Sequence, residues 1–350
     1  MSGTVTTVIP TFQRPGLLRR AMRSVLDQTY GDCVVSVFDN ASGDETERVV
    51  AEFAARDPRV RYTCQPYNMG GVANFVDAMS HVESEFFTVL SDDDVLFPEF
   101  FATAVAALAQ QPQAMFFAGS TLEFDDAGAL RYAPMAYWPR EGLYEPSESV
   151  PLMLGNRHPT WTGVLFRRAL IGAIGLIDPQ TGPGADFDYE LRAAARFPIV
   201  VSFAPCAAWI FHGASQSGGE TASIIPCYER MIRNLASTDS MPAAEQRRAV
   251  VRLERQLRGK LLEISVKAQV RGDAAASREA AVLLRDKYGV PLLGWALVAM
   301  NAACSRVGAL RALLIWMESV RLRLRAAASR RRLRAQGIDA QGYTAYLRLP

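Results

Sequence analysis

The sequence predicts an α/β fold, with a doubly wound, mainly parallel sheet over residues 1–225 and a helical, basic region over residues 226–350. Three observations predict it. Strand-length runs of β-branched and aromatic residues alternate with helix-length amphipathic stretches between Val5 and Leu90. The polar residues that interrupt this alternation gather at the carboxyl ends of the strand runs, where open parallel sheets bind ligands. The charge also changes sign along the chain. Residues 1–227 hold 15 Arg, no Lys and 26 Asp+Glu, whereas residues 228–350 hold 23 Lys+Arg and 10 Asp+Glu.

The elements follow in order. Val5–Ile9 is a central strand, Pro10-Thr11-Phe12-Gln13-Arg14 a loop, and Pro15 the first turn of a helix with Leu17, Leu18, Met22, Val25 and Leu26 at helical spacing. Val34–Phe38 is a second strand ending in Asp39-Asn40-Ala41-Ser42-Gly43-Asp44. Glu45–Arg56 is a helix, Val60–Thr63 a strand, Asn68-Met69-Gly70-Gly71 a turn and Val72–Ser80 a third helix. Phe86–Leu90 is the fourth strand. Beyond Pro98 come an Ala-rich helix over Glu99–Gln110 and a strand over Met115–Thr121. Residues 122–150 are irregular, with a hairpin-like turn at Asp125-Asp126-Ala127-Gly128, and Val164-Leu165-Phe166 is a further strand.

The fourth strand stops in Asp92-Asp93-Asp94. Three adjacent carboxylates at the end of a buried strand repel one another and are costly unless a cation or solvent offsets them. Asp92 and Asp94 share a side if the backbone stays extended, and both then reach one hard divalent ion. A solvated loop ahead of Phe97-Pro98 is the alternative. A second acidic centre, Asp186 and Asp188, follows Gly182-Pro183-Gly184-Ala185 at a helix start, where backbone N–H groups favour carboxylates and simple capping is the alternative role.

Five stretches occur in an order and at spacings that resemble the family 2 glycosyltransferases of the GT-A fold. They are Pro10 to Pro15, Ser24-Val25-Leu26-Asp27-Gln28-Thr29, Asp39 to Asp44, Asn68 to Gly71, and Asp92-Asp93-Asp94. The resemblance is dense over residues 4–100 and thinner to 215. It implies a GT-A, Rossmann-like domain whose residues 1–100 hold a nucleotide-sugar donor and whose residues 101–225 face the acceptor. It implies inverting transfer from a UDP-sugar, or a dTDP-sugar, to a hydroxyl, with Mg²⁺ or Mn²⁺. Pro10, Thr11, Arg14, Asp39, Asn68, Gly70, Asp92 and Asp93 are then the donor residues, with Asp39 at the base and Asp92 near the ribose. Asp94 is the implied metal ligand, joined by His212 and Asp92. Asp186 is the implied general base with Asp188 in support. Ala185 stands where the family carries Glu, which leaves the base open between the two. Trp161 and Thr162 fall where similar enzymes meet the acceptor, although Trp161 suits a core position as well. Asp39 suits a turn-forming role and His212 a local hydrogen bond. The Gly/Ser-rich loop at residues 213–219 suits a lid over the donor.

The five cysteines are scattered, with no CxxC pair, so neither a zinc site nor a disulfide framework is signalled and a reduced, cytoplasmic compartment is expected. The first residues run straight into a strand pattern, and no secretory signal is expected. Tyr288–Ser305 holds no charge over 18 residues, and apolar Leu310–Met317 precedes Arg321, Arg323, Arg325, Arg330, Arg331, Arg332 and Arg334. Peripheral contact with the inner face of an anionic membrane through residues 288–334 is expected. A packed interface, such as that of a homo-oligomer, or a membrane span are the alternatives. A glycan or lipid-linked acceptor follows by association. No nucleic-acid motif accompanies the arginines, so no nucleic-acid partner is expected. The competing functions are a non-catalytic sugar-nucleotide or glycan-binding module, and a nucleotidyltransferase, for which Gln13-Arg14-Pro15-Gly16 is a poor phosphate loop.

Overall fold

A computed structural model describes residues 3–212 and 221–348. In its first part, β1 (Val5–Thr11), β2 (Cys33–Asp39), β3 (Val60–Cys64) and β4 (Phe86–Val89) alternate with α1 (Pro15–Leu26), α2 (Thr46–Ala54) and α3 (Gly71–Ser80). These strands pair in parallel in the order β3-β2-β1-β4. Every residue of β1 is buried, because apolar clusters cover both faces of the sheet there.

The chain continues through β5 (Val95–Leu96), α4 (Phe100–Gln110), β6 (Phe116–Asp125), β7 (Leu130–Tyr132), β8 (Gly142–Tyr144), α5 (Pro146–Leu152), β9 (Val164–Arg167), α6 (Ala169–Ile174), α7 (Ala185–Arg196) and β10 (Ile199–Phe211). Strand β9 inserts antiparallel between β4 and β6, and β10 lies parallel to β6. The end of β4 therefore sits in the middle of one continuous sheet. Residues 122–150 are more regular than their composition suggests. Gly128, at φ +81°, turns β6 into β7, and β8 pairs with β10. The register of β10 on β6 breaks around Pro205, which has no N–H to give the ladder.

Five helices follow: α8 (Thr221–Ala236), α9 (Ala243–Arg271), α10 (Ala274–Asp286), α11 (Pro291–Arg306) and α12 (Gly308–Ala335). Helices α9 to α11 share a small core built on Leu257, Leu261, Ala280, Ala281, Leu284 and Leu297. The uncharged stretch from Tyr288 does not make one long helix. Gly289 turns at φ +67°, Pro291 starts α11, and α11 meets α12 at 117°. Among the described residues no single helix is long and apolar enough to cross a membrane.

The C-terminal region returns to the sheet. Leu333 and the 3₁₀ segment Ala340–Arg348 join a cluster with Phe97, Phe124 and Ala208. The rings of Tyr343 and Tyr346 lie 4.6 and 5.4 Å from that of Phe97. Arg20 Nη1 donates to the Leu347 carbonyl at 3.1 Å. The last helical turns thus complete the core beneath the acid cluster.

Packing between β6 and β10 tolerates no added atom at Gly119. A Cβ there would stand 2.8 Å from Cys206 Cβ and closer still to its Sγ. Gly119→Ala should destabilise the chain by about 1–3 kcal/mol. Urea unfolding of the two proteins checks it, and equal midpoints would refute the tight β6–β10 packing.

Candidate active site

The carboxyl ends of β1, β2 and β4 open into one cleft of about 870 Å³. Two loops shape its rim with non-glycine residues in the left-handed region, Gln13 at φ 55° and Ala41 at φ 61°. They are stitched together: Gln13 N donates to Ser42 Oγ at 2.8 Å, and Gln13 Nε2 to the Ser42 carbonyl at 3.2 Å. Asn40 Nδ2 donates to Asn68 Oδ1 at 2.8 Å, and Met69 N to Asn40 Oδ1 at 2.9 Å. Asn68 and Gly70, the latter at φ +87°, thereby set the entry into α3.

The acid cluster occupies the floor. Residues 91–94 form a turn, in which Asp94 N donates to the Ser91 carbonyl at 3.1 Å. The extended geometry assumed from the sequence is broken there, so the three carboxylates diverge. Asp92 accepts from Thr11 Oγ1 at 2.7 Å and from Arg14 Nη1 at 3.3 Å. Asp93 Oδ2 meets Arg14 Nη1 at 3.1 Å and His212 Nε2 at 3.0 Å. Asp94 turns inward, accepting from Thr162 Oγ1 at 2.6 Å and from the Ile210 N–H at 3.0 Å. Arg20 lies behind and donates to the Asp93 carbonyl at 2.7 Å. Burial draws the Arg20 pKa down while Asp94 and Asp93 pull it back up.

Asp94 and Asp93 thus face different ways. Asp94 is fully enclosed with both oxygens occupied, and Asp93 takes the cleft-facing place beside His212. Thr162 spends its hydroxyl proton on Asp94. The Trp161 ring is buried in the core position its type also suits, 5.4 Å from Phe166 and 5.6 Å from Tyr189. The aromatic groups on the cleft wall are Phe12, Phe75 and Trp209, which the sequence did not single out. Trp209 was detectable in principle, since it stands three residues before His212 near the end of an apolar run.

Pro10, Thr11, Arg14, Asp92 and Asp93 line the cleft. Asp39 lies below its surface, with Oδ1 accepting from Ser42 N at 3.0 Å and Oδ2 from Tyr62 OH at 2.7 Å. The Ser42 contact closes the turn after β2. Asn40, next in the chain, reaches the wall in its place.

The second acidic centre heads α7, beyond Gly182, which turns at φ 47°. Asp188 is buried, bound to Arg192 Nε at 2.7 Å and Asn234 Nδ2 at 2.9 Å, so it ties α7 to α8. Burial raises its pKa against the pull of Arg192 and Asn234. Asp186 is exposed at the first turn, with its own neighbour Phe187 N donating to Oδ1 at 2.7 Å. Of the two, only Asp186 is open to an incoming hydroxyl. One turn on, Glu190 is buried with no hydrogen-bond partner among the described residues, and burial followed by the Asp186 charge holds its carboxyl well above the usual range.

No group of three or more His, Cys, Asp and Glu among the described residues makes a metal cage. Asp93 and His212 still supply one carboxylate oxygen and one imidazole nitrogen in contact, donors that suit Mn²⁺ better than Mg²⁺. The lid expected at residues 213–219 lies outside the described residues.

Burial pushes the Asp92 carboxyl up to about 6, with Thr11 and Arg14 opposing it and Asp93 adding to it. In an unfolded chain it titrates near 3.9. The folded state thus binds this proton more tightly, and the stabilisation is full below about pH 4 and lost as pH rises through 6. Asp92→Asn carries no charge to bury. Its stability relative to the parent should rise by about 2–3 kcal/mol between pH 3.5 and 7.5 in urea melts. A difference that does not change with pH would refute it.

The sequence model of the family described as "Glycosyl transferase family 2" matches residues 6–175. A GalNAc(5)-diNAcBac-PP-undecaprenol beta-1,3-glucosyltransferase of Campylobacter jejuni is 34% identical over 93 residues, which is 26% of this chain and 30% of that protein. The chain therefore spans under a third of that relative. The putative colanic acid biosynthesis glycosyl transferase WcaA of Escherichia coli is 25% identical over 219 residues, 61% of this chain and 74% of that one. The fold matches S. aureus TarS 1–349 in complex with UDP-GlcNAc at a TM-score of 0.65 and 14% identity, covering 87% of this chain and 92% of that one. It also matches mannosyltransferase PcManGT from Pyrobaculum calidifontis, in complex with GDP-Man and Mn²⁺, at 0.53 and 17% identity over 94% and 87% of the two chains. The match over residues 6–175 identifies that part of the chain as a family 2 glycosyltransferase domain, and the shared architecture is that of the GT-A fold.

Proposed function

We propose that this chain is an inverting glycosyltransferase. It takes a nucleotide-diphosphate sugar, UDP-linked or else dTDP-linked, and passes the sugar to a hydroxyl during assembly of a cell-surface polysaccharide or glycolipid. The observation that carries this reading is the meeting of Arg14 and His212 on Asp93, at 3.1 and 3.0 Å, on the floor of the cleft. A diphosphate needs positive charge there, and Arg14 is a fork-shaped donor already in place. Mg²⁺ or Mn²⁺ held by Asp93 and His212 would supply further positive charge against the leaving diphosphate. Asp186 takes the acceptor proton as the oxygen attacks the anomeric carbon. Attack from the face opposite the diphosphate inverts the configuration.

Calorimetric titration with UDP, dTDP, GDP and CDP, with and without Mn²⁺, tests the donor half. One nucleotide should bind in a metal-dependent way, and Asp93→Ala should lose that dependence. Asp186→Asn should cut transfer by at least about 100-fold while nucleotide affinity is kept. Transfer that survives Asp186→Asn removes it as the base. Nucleotide binding without transfer or donor hydrolysis by the parent would favour a binding module.

We further propose that the α11–α12 elbow rests on an anionic membrane surface. Leu292 is 87% exposed, Trp295 57%, Trp316 61% and Leu324 66%, beside the arginines of α12. The full chain should float with phosphatidylglycerol vesicles, and Trp295→Ala/Trp316→Ala should not. A chain that ignores vesicles but dimerises through this face would show it to be an interface between copies.

A further inference from the structure

A second open cavity of about 1880 Å³ lies between α9, α12 and the acceptor half. Five cationic side chains line it, Arg252, Arg255, Lys260, Arg321 and Arg325, against the carboxyls of Glu123 and Glu263. Lys260 is committed to Glu263 and Arg321 to Glu318. Arg252, Arg255 and Arg325 have no ion-pair partner among the described residues. Arg252 and Arg255 stand three apart on α9, on one side of the helix. The Arg325 guanidinium lies 3.6 Å from the centre of the Tyr132 ring, which holds it at the cavity wall. Glu123 competes weakly for it. Burial pushes its carboxyl up to about 7, with Arg325 and Arg131 opposing.

The cavity adjoins the catalytic groups through the chain. Thr160 lines it, and Thr162 holds Asp94. Phe187 lines it, and Asp186 precedes Phe187. Helix α12 links it to the exposed apolar elbow. Arg325 is nine residues beyond Trp316, about 14 Å along the helix.

We propose that Arg252, Arg255 and Arg325 hold a phosphate group of the acceptor, so that the acceptor is phosphate-bearing and its hydroxyl is presented toward Asp186. This rests on the transferase reading above. Guanidiniums without an ion pair in a half-open cavity favour phosphate, which accepts paired charge-assisted N–H···O bonds, over the weaker acceptor hydroxyls of a neutral glycan. The phosphate belongs either to a lipid diphosphate at the membrane surface or to a soluble phosphate polymer, and both use the same three arginines.

The test is calorimetry on the full chain at low salt, with UDP and Mg²⁺ first saturating the donor cleft. The probes are farnesyl diphosphate, farnesol and inorganic diphosphate. Farnesyl diphosphate should bind and farnesol should not. Arg252→Gln/Arg255→Gln should weaken that binding at least tenfold, with UDP affinity within twofold of the parent, and the double lysine variant should recover only part of it. Farnesyl diphosphate binding at least tenfold tighter than inorganic diphosphate supports a lipid-linked source, and equal binding supports a soluble polymer. UDP binding with no diphosphate binding, or diphosphate binding indifferent to the glutamine variant, overturns the proposal and leaves the donor cleft standing. Failure of UDP to bind is a separate result against the transferase reading, since the diphosphate titration and its arginine dependence can still be read.

Discussion

Three neighbouring carboxylates at the end of a buried strand are the constraint around which the molecule is arranged. Each finds a different solution. Asp92 is held by a threonine and an arginine, Asp93 by an arginine and a histidine, and Asp94 by a hydroxyl and a backbone N–H. The solutions recruit β1, α1, the segment before β9 and the end of β10. The inward Asp94 is a structural clasp: it pins Ile210, whose neighbours Trp209 and His212 then fall on the cleft side. The outward pair carries the unresolved charge that a ligand can satisfy. Adjacent residues of one motif thus divide between an enclosed carboxylate and two that line the cleft.

Much of the parallel half was legible because its signals are local. Strand and helix periods alternate cleanly from Val5 to Val89, and the turn residues fall between them. The position of the cleft was legible for the same reason, since sheet topology opens clefts beyond strand ends. The roles within Asp92-Asp93-Asp94 were not. Their assignment assumed an extended chain, and a single turn after Ser91 exchanged the orientations of Asp93 and Asp94. Periodicity says nothing about a strand once the strand has ended.

Other differences share a cause in long-range packing. Trp161 is buried because Phe166 and Tyr189, from β9 and α7, close over it. Asp188 is fixed by Asn234, 46 residues away on α8. The segment Ala340–Arg348 carries only scattered tyrosines and no charge pattern that names its partner, Phe97. Such contacts are decided by which surfaces meet in three dimensions. Composition marked residues 226–350 as a region of its own, and in secondary structure it is one, but its end is spent on the sheet.

That return has a consequence for how the protein comes into being. Arg20 and Leu347 are separated by 327 positions, and Phe97 waits for Tyr343. Synthesis proceeds from the N-terminus, so the parallel sheet can form while the acid cluster still lacks its backing. Closing contacts over so many residues is slow compared with forming local helices and hairpins. A nascent chain released early would hold a recognisable sheet with its charged floor unsupported, open to solvent from behind. The cleft is in this sense the last feature to be finished, although nearly all the residues that line it are among the first to be made.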